Sequence, residues 1–290
     1  MITYYRVADH VFGIEATEPQ LAQLTNYTPF QTDQIGTSCV FIIHVDGNNL
    51  QSPDGWTHLY TDRSDEDMPR IEMYQKDEEW LFRISTTREG EVVSTMRCLA
   101  DWTEVHLTMD EAFVRFAIDN AAMLVYAFRT TGLKTLLFHS SVTMREGRAY
   151  MFLGHSGTGK STHSQQWMNA FKDAELMTDD NPVVRLLEDG TVRVYGSPWS
   201  GKTPCYRNIS APVGALVQLA QAPHNEITRL RMSQAYPYIL SSVSGLKILP
   251  QMMDSLYESI AQLLETVPVY KLECLPNTTA AEVCYEAVKA

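Results

Sequence analysis

The five cysteines of this sequence show no pairing pattern. Cys39, Cys98, Cys205, Cys274 and Cys284 are scattered, and no two of them form a C-x-x-C pair. An odd number of cysteines without framework spacing argues against a disulfide scaffold. We therefore expect reduced thiols that pack as small apolar side chains.

Positive charge is also scarce, because 23 Lys and Arg stand against 35 Asp and Glu, for a formal net charge of −12. A groove for nucleic acid needs clustered basic side chains, so nucleic acid is not expected as a partner. No apolar run approaches the ~18 residues that cross a bilayer. The first residues also lack the basic start and apolar stretch of a secretory signal. These absences favour a cytoplasmic protein that does not enter membranes.

The composition that remains is ordinary for a globular protein, with 44% hydrophobic and 20% charged residues over 290 positions. Within it, Gly154, Gly159, Lys160 and Ser161 fit the pattern G-x-x-x-x-G-K-[ST]. The glycines allow successive backbone N–H groups to point at one anion. Lys160 can reach the β- and γ-phosphates of a nucleotide, and the Ser161 hydroxyl can ligate Mg²⁺.

The surroundings of this pattern decide whether it is meaningful. An apolar run at residues 149–153 predicts a strand before it, and residues 161–171, without Gly or Pro, predict a helix after it. Strand, loop and helix follow one another in the order that a phosphate-binding loop requires. We therefore predict that ATP phosphates are bound by Gly154, His155, Ser156, Gly157, Thr158, Gly159, Lys160, Ser161 and Thr162.

The part of the chain before this loop is rich in predicted strands. Residues 37–45, 70–74, 80–84 and 91–96 are β-forming or alternate between apolar and polar, and turn-forming residues separate several of them. Apolar residues at helical spacing predict a long helix over residues 110–131, which Gly132 ends. We predict three parts: a β-rich domain at 1–108, a linking helix at 109–132 and a nucleotide-binding domain at 133–290.

Strands and helices are mixed in the last part. The patterns predict strands at 133–141, 175–178, 183–187, 192–195, 213–219 and 267–272, with helices at 233–243, 250–265 and 278–289.

Two acidic residues and one histidine are the candidate reactive groups around the loop. Asp179 and Asp180 follow Lys160 by 19 and 20 residues, and His139 precedes it by 21. Adjacent carboxylates beside Mg²⁺ and ATP can divide the work, one holding the metal and the other accepting a proton. A turn or a helix cap is the structural alternative for the Asp pair, and a purely structural role is the alternative for His139.

These residues resemble the catalytic core of HPr kinase/phosphorylase, which shares its core with ATP-dependent phosphoenolpyruvate carboxykinase. The resemblance rests on His139-Ser140-Ser141, the loop and Asp179-Asp180, and covers roughly residues 133 to 202. It implies an α/β fold with a mixed, β-rich core of this type. It further implies Asp180 as general base, Asp179 and Ser161 as metal ligands, and His139 near the transferred phosphate, with Lys160 in the catalytic set.

The sequence departs from both families after the Asp pair. Arg193 stands where HPr kinases carry a metal-binding glutamate, and Asn181-Pro182 follows the pair where the carboxykinases have Glu-His-Gly-Trp. The segment at 196–202 instead resembles shorter HPr-kinase-related proteins. Lys202 and Arg207 are candidate contacts to phosphate or substrate, with solvated surface cations as the alternative.

The sequence thus predicts an ATP- and Mg²⁺-dependent kinase that phosphorylates a hydroxyl of an unidentified protein, peptide or metabolite, and it leaves a homo-oligomer open. Two alternatives stay open at this point. One is an enzyme like phosphoenolpyruvate carboxykinase, and the other is a regulatory module that binds ATP without catalysis.

Overall fold

The computed structural model describes residues 1–34, 39–62, 69–99, 101–201, 203–245 and 250–289. The chain forms two compact units, Met1–Arg129 and Thr130–Ala290. The predicted three-part division, with boundaries at 108–109 and 132–133, stays a prediction.

The described part of the first unit contains one sheet, with the strand order β1-β2-β3-β8-β7-β6-β5-β4. The strands are β1 (Ile2–Val7), β2 (His10–Glu15), β3 (Cys39–Gly47), β4 (Thr57–Thr61), β5 (Arg70–Lys76), β6 (Glu79–Ser85), β7 (Val92–Leu99) and β8 (Glu104–Met109). Alternation is clear in β8, where Val105, Leu107 and Met109 are buried and the residues between them are partly exposed.

The helices of this unit are the short α1 (Glu18–Leu21) and the long α2 (Val114–Thr131), with 3-10 turns at Thr25–Phe30 and Glu111–Phe113. Aromatic rings join α2 to the sheet. Tyr126 packs edge-on against Phe12, and its hydroxyl donates to the carbonyl of Val7 at 2.9 Å. Phe128 packs on Trp102 and Phe82 with tilted rings. The apolar face of α2 therefore completes the core of the first unit.

The second unit has strands in the order β12-β10-β11-β15-β14-β13-β9, with β17 joined to β15 and β16 to β17. The strands are β9 (Thr135–Leu137), β10 (Ser140–Arg145), β11 (Arg148–Leu153), β12 (Glu175–Thr178), β13 (Val183–Leu186), β14 (Val192–Tyr195), β15 (Ser210–Gln221), β16 (Glu226–Arg229) and β17 (Val269–Cys274). The helices are α3 (Lys160–Ala170), α4 (Met232–Ser242), α5 (Pro250–Thr266) and α6 (Thr278–Val288).

Strand β15 organises this unit because it pairs with three neighbours. It runs parallel to β11 and to β17, while its first residues pair antiparallel with β14. One apolar cluster includes side chains of α4 and α5, and another, around Trp167, includes side chains of α6. Because β11, β15 and β17 run parallel to one another, their carboxyl ends lie at one edge of the sheet.

The predicted mixed α/β class with a β-rich N-terminal part is confirmed. The prediction of one strand over residues 133–141 is wrong, because β9 pairs with β13 whereas β10 pairs with β11 and β12. Phe138 and His139 form the break between them, and their N–H groups donate to the carbonyls of Pro182 and Ser242. This break places His139 directly before β10 instead of within a continuous strand.

Two further observations concern features expected from composition. All five cysteines have free thiols. Among the described residues, no helix combines the length and the apolar character that crossing a lipid bilayer would require.

Candidate functional site

The glycine-rich loop connects β11 directly to α3. Gly154, Gly157 and Gly159 have φ angles of +152°, +77° and +107°, a region that L side chains rarely adopt. A Cβ at Gly154 would also come within 3.0 Å of the Thr158 side chain. The loop is therefore closed by backbone that only glycine adopts without strain. Of the nine predicted binding residues, the first six form this loop and the last three form the first turn of α3.

Lys160 is the first residue of α3, and its side chain is 9% exposed. Its ammonium donates to the carbonyl oxygens of Gly154 at 2.9 Å and His155 at 3.3 Å, so the side chain folds back over the loop. Burial lowers the pKa of Lys160, while the charges of Asp180 and Asp179 act in the opposite direction. The lysine is thus held by carbonyls that a phosphate could replace.

His139 joins Lys160 to Asp180. Its Nε2 lies 2.9 Å from the ammonium of Lys160, and its Nδ1 lies 2.9 Å from a carboxylate oxygen of Asp180. An unperturbed ammonium holds its proton about four pH units more tightly than an imidazole, so Lys160 is the donor and Nε2 the acceptor. The ring proton is then on Nδ1 and is donated to Asp180. The hydrogen-bond network thus assigns His139 a single neutral tautomer.

Asp180 lies just beyond the end of β12, with its side chain 21% exposed. The same oxygen that faces His139 accepts the N–H of Asn181 at 2.9 Å, and Asn181 has φ +47°. A Cβ at Gly201 would lie 3.1 Å from the Cβ of Asp180, so the backbone at Gly201 packs directly on this aspartate. Asp180 therefore has one oxygen oriented by donors.

Asp179 has a different environment from its neighbour, because it is 5% exposed and both of its oxygens are engaged. One accepts the hydroxyl of Ser141 at 3.2 Å, and the other accepts the N–H of Thr203 at 3.3 Å. The Ser141 oxygen lies 2.6 Å from that of Ser164 on α3. Because a carboxylate only accepts, Ser141 donates to Asp179 and Ser164 donates to Ser141. This directed chain fixes Asp179 against the loop helix.

The predicted metal ligands, Ser161 and Asp179, are a hydroxyl and a carboxylate. Ser161 is exposed in the first turn of α3, next to Lys160, and Asp179 is linked to the same helix through Ser164. Across the described ranges, no group of three or more His, Cys, Asp or Glu side chains is arranged to hold a metal. The pair nevertheless fits Mg²⁺, which is commonly held by few protein oxygens together with water and phosphate.

The two predicted substrate cations stand apart from this cluster or outside the described structure. Arg207 donates to the carbonyl of Leu176 at 2.6 Å and to the carboxylate of Glu175 at 2.7 Å, at the end of β12 opposite the Asp pair. Its role as a substrate contact stays a prediction. Lys202 lies outside the described residues. Arg193, which stands where the resemblance placed a metal-binding glutamate, donates to the Ser210 hydroxyl at 2.9 Å.

Sequence reasoning assigned no role to Ser141, Ser164 or Thr203, although all three contact one another or Asp179. Serines on a strand and within a helix carry no distinctive pattern, and their contacts join residues 23 and 38 positions apart. The usable signal was weak: Ser141 follows His139 by two residues, so their backbones lie at the same end of β10.

Comparison with known proteins places the chain in a family. A family model described as "ScmC: SynChlorMet cassette protein ScmC" matches residues 102–279, more than half of the chain. The chain belongs to the ScmC family. No curated protein is similar enough to count as a relative. The chain is also similar to a solved structure described as the Hpr(Ser) kinase/phosphatase from Coxiella burnetii. The match covers 52% of this ScmC family member and 95% of the chain in that structure. Its identity is 10% and its TM-score is 0.31. A similarity at this level assigns neither fold nor activity to the chain.

Proposed function

We propose that the second unit is an ATP- and Mg²⁺-dependent phosphotransferase that moves the γ-phosphoryl group to a hydroxyl of an acceptor. The observation that carries the proposal is the line of contacts from Lys160 through His139 to Asp180, built at the mouth of a glycine-rich loop. Two hydrogen bonds thus connect a cation that can bind phosphate, Lys160, to an oriented carboxylate that can remove a proton, Asp180.

Asp180 takes the role of general base. In the transfer, the acceptor oxygen forms a bond to the γ-phosphorus, and the bond from that phosphorus to the β–γ bridging oxygen breaks, so ADP leaves. The hydroxyl proton passes to a carboxylate oxygen of Asp180. The only ring proton of His139 is on Nδ1 and is donated to Asp180, so His139 keeps the carboxylate of Asp180 oriented.

Lys160 and the loop amides hold the β- and γ-phosphates. The ammonium of Lys160 already donates to the carbonyls of Gly154 and His155. When Lys160 binds phosphate, it replaces these hydrogen bonds by bonds to phosphate oxygens. Ser161 and Asp179 would hold Mg²⁺, which neutralises negative charge on the phosphates. The buried serine pair keeps Asp179 in place for that task.

The test is transfer of label from γ-labelled ATP to cell extracts and to peptide pools, with products identified by mass spectrometry. Products of neighbouring genes are the first purified acceptors to try. We expect a phosphorylated hydroxyl that appears with the natural chain and not with Lys160→Ala prepared in parallel, a control that exposes contaminating kinases. Binding of ATP without any labelled acceptor would reject phosphotransfer and favour a regulatory module. Turnover of oxaloacetate with ATP would favour the carboxykinase alternative.

A further inference from the structure

A cavity of about 570 Å³ opens beside the glycine-rich loop. One wall is the loop itself, at Gly157 and Gly159, together with the first turn of α3. The other walls lie at the ends of two strands: Leu219, Gln221 and Ala222 at the end of β15, and Cys274 to Pro276 at the end of β17. The volume is within the ~300–1,000 Å³ of small-molecule sites.

The sheet order separates this cavity from the reactive residues. Strands β10 and β12, which lead from His139 and into the Asp pair, lie on one side of β11. Strands β15 and β17, which end at the cavity, lie on its other side and run parallel to it. A nucleotide whose terminal phosphate faces Asp180 must extend its remaining part across the loop, toward β15 and β17.

The cavity contains a hydrogen-bond donor of fixed character. His163 is 4% exposed, and its Nε2 accepts the indole N–H of Trp167 at 3.0 Å. Burial lowers the pKa of His163 to about 4, so the ring is neutral at physiological pH and its proton is on Nδ1. In the described part of the chain Nδ1 has no hydrogen-bond partner. A donor without a partner, on a largely buried ring at a cavity wall, is a group that a ligand acceptor can satisfy.

The opposite wall is connected to the loop by one side chain. The amide nitrogen of Gln221 donates to the carbonyl oxygens of Gly157 at 3.2 Å and Thr158 at 3.5 Å. Leu219, Ala222 and Leu275 supply apolar surface around this contact. The cavity therefore combines apolar wall residues with a few polar groups, as small-molecule sites do.

We propose that this cavity binds the nucleoside of the triphosphate, with His163 donating to an acceptor on the ribose or the base. This inference rests on the proposed function, and it deepens that function by placing the two substrates on opposite sides of β11. The acceptor hydroxyl approaches on the side of β10 and β12, and the nucleoside occupies the side of β15 and β17.

The experiment compares two probes, ATP and inorganic tripolyphosphate, by calorimetry with Mg²⁺ present. The variant Ala222→Trp fills the cavity, and Leu275→Trp fills it from a position that is 37% exposed and tolerates a larger ring. We expect either variant to weaken ATP binding about tenfold or more, because the buried atoms of the nucleoside lose their contacts. Binding of tripolyphosphate should be unchanged. The control is His224→Trp, on an exposed residue that does not line the cavity.

The outcomes separate the inference from the proposed function. If both cavity variants bind ATP as the natural chain does, or if ATP binds no more tightly than tripolyphosphate, the nucleoside site is rejected and phosphate binding stands. If the natural chain binds neither probe, the inference and the proposed function both fall. If the variants weaken both probes equally, the change has reached the loop, and the assignment of the cavity to the nucleoside is rejected.

Discussion

Each unit of the chain holds a histidine between two charged side chains, and the two histidines are in opposite states. In the first unit, His44 on β3 lies 2.6 Å from Glu15 through Nδ1 and 2.6 Å from Glu104 through Nε2. Carboxylate oxygens only accept, so both nitrogens of His44 donate and the ring is an imidazolium. In the second unit, His139 faces a carboxylate on one side and an ammonium on the other, and it is neutral.

The difference shows how partners set the chemistry of one residue type. Two acceptors make His44 a cationic clamp across strands β2, β3 and β8, a structural role. One acceptor and one donor make His139 a directional link between Asp180 and Lys160, which suits proton transfer and phosphate binding. Changes at each histidine and in its surroundings should therefore have different consequences. Four predictions are given from the largest expected effect to the smallest.

Asp180→Asn removes the carboxylate that His139 contacts in the second unit. Replacing the carboxylate by an amide removes the proton acceptor while keeping the size of the side chain, so phosphoryl transfer should fall by about 10²–10⁴-fold. Affinity for ATP should change far less, because the phosphates are held by the loop. Initial rates with a purified acceptor and calorimetry with ATP measure the two effects. Glu188→Gln, in the exposed turn after β13, is the control, and normal transfer by Asp180→Asn would remove the base assignment.

Lys160→Ala should reduce the affinity for ATP by about 10–100-fold, since a hydrogen bond to a charged group contributes about 1.5–3 kcal/mol. It also removes the donor that holds Nε2 of His139. Calorimetry should show the loss. Lys172→Ala, on an exposed residue just beyond α3, should leave the affinity for ATP unaltered. An unchanged affinity in Lys160→Ala would argue against a phosphate-binding loop.

Ser141→Ala should destabilise the second unit by about 1–3 kcal/mol, because it leaves a buried oxygen of Asp179 without its donor. Ser140→Ala is a closely matched control, since Ser140 is equally buried and its hydroxyl has no partner among the described residues. That change should be neutral or slightly stabilising. Urea unfolding compares the two variants, and the Mg²⁺ concentration for half-maximal activity should rise only in Ser141→Ala. Equal behaviour of the two variants would show that the chain of hydroxyls does not position Asp179.

His44→Gln should change stability with pH in the first unit. Burial lowers the pKa of His44, but hydrogen bonds and charges from Glu104 and Glu15 raise it by more, so the net pKa lies above its ordinary value. The stabilisation is complete below the unfolded pKa of about 6.5 and is lost as pH rises through the folded pKa. The variant should therefore be less stable than the natural chain at acidic pH, by about 1 kcal/mol or less for partly exposed pairs. At alkaline pH the difference should shrink.

Urea unfolding at a series of pH values measures this difference. His106 stacks on His44 at 5.3 Å between ring centres and pairs with Asp46 at 2.7 Å, and both proteins keep this residue and its partner. His58→Gln is the control, because His58 contacts the Thr61 hydroxyl instead of a carboxylate. A stability difference that grows with rising pH would contradict the imidazolium assignment.

The local pattern of the sequence was sufficient for several elements. The glycine-rich loop, its strand and its helix follow from residues that are adjacent in the chain, because positive φ and helix formation are local properties. The helices at Met232–Ser242, Pro250–Thr266 and Thr278–Val288 agree with prediction within a residue or two. The break at Phe138 and His139 was missed, since a continuous apolar run does not reveal that its two halves pair with different strands.

The sequence by itself determined the candidate reactive groups of this protein: a curled glycine loop, a lysine, a histidine and two adjacent carboxylates. Tertiary structure alone decided their states. The tautomer of His139 depends on Lys160 and Asp180, which are 21 and 41 residues away, and the orientation of Asp179 depends on Ser141 and Ser164. Hydrogen-bond direction and burial arise only when distant segments meet, whereas the chemical capacity of a side chain is already present in the unfolded chain.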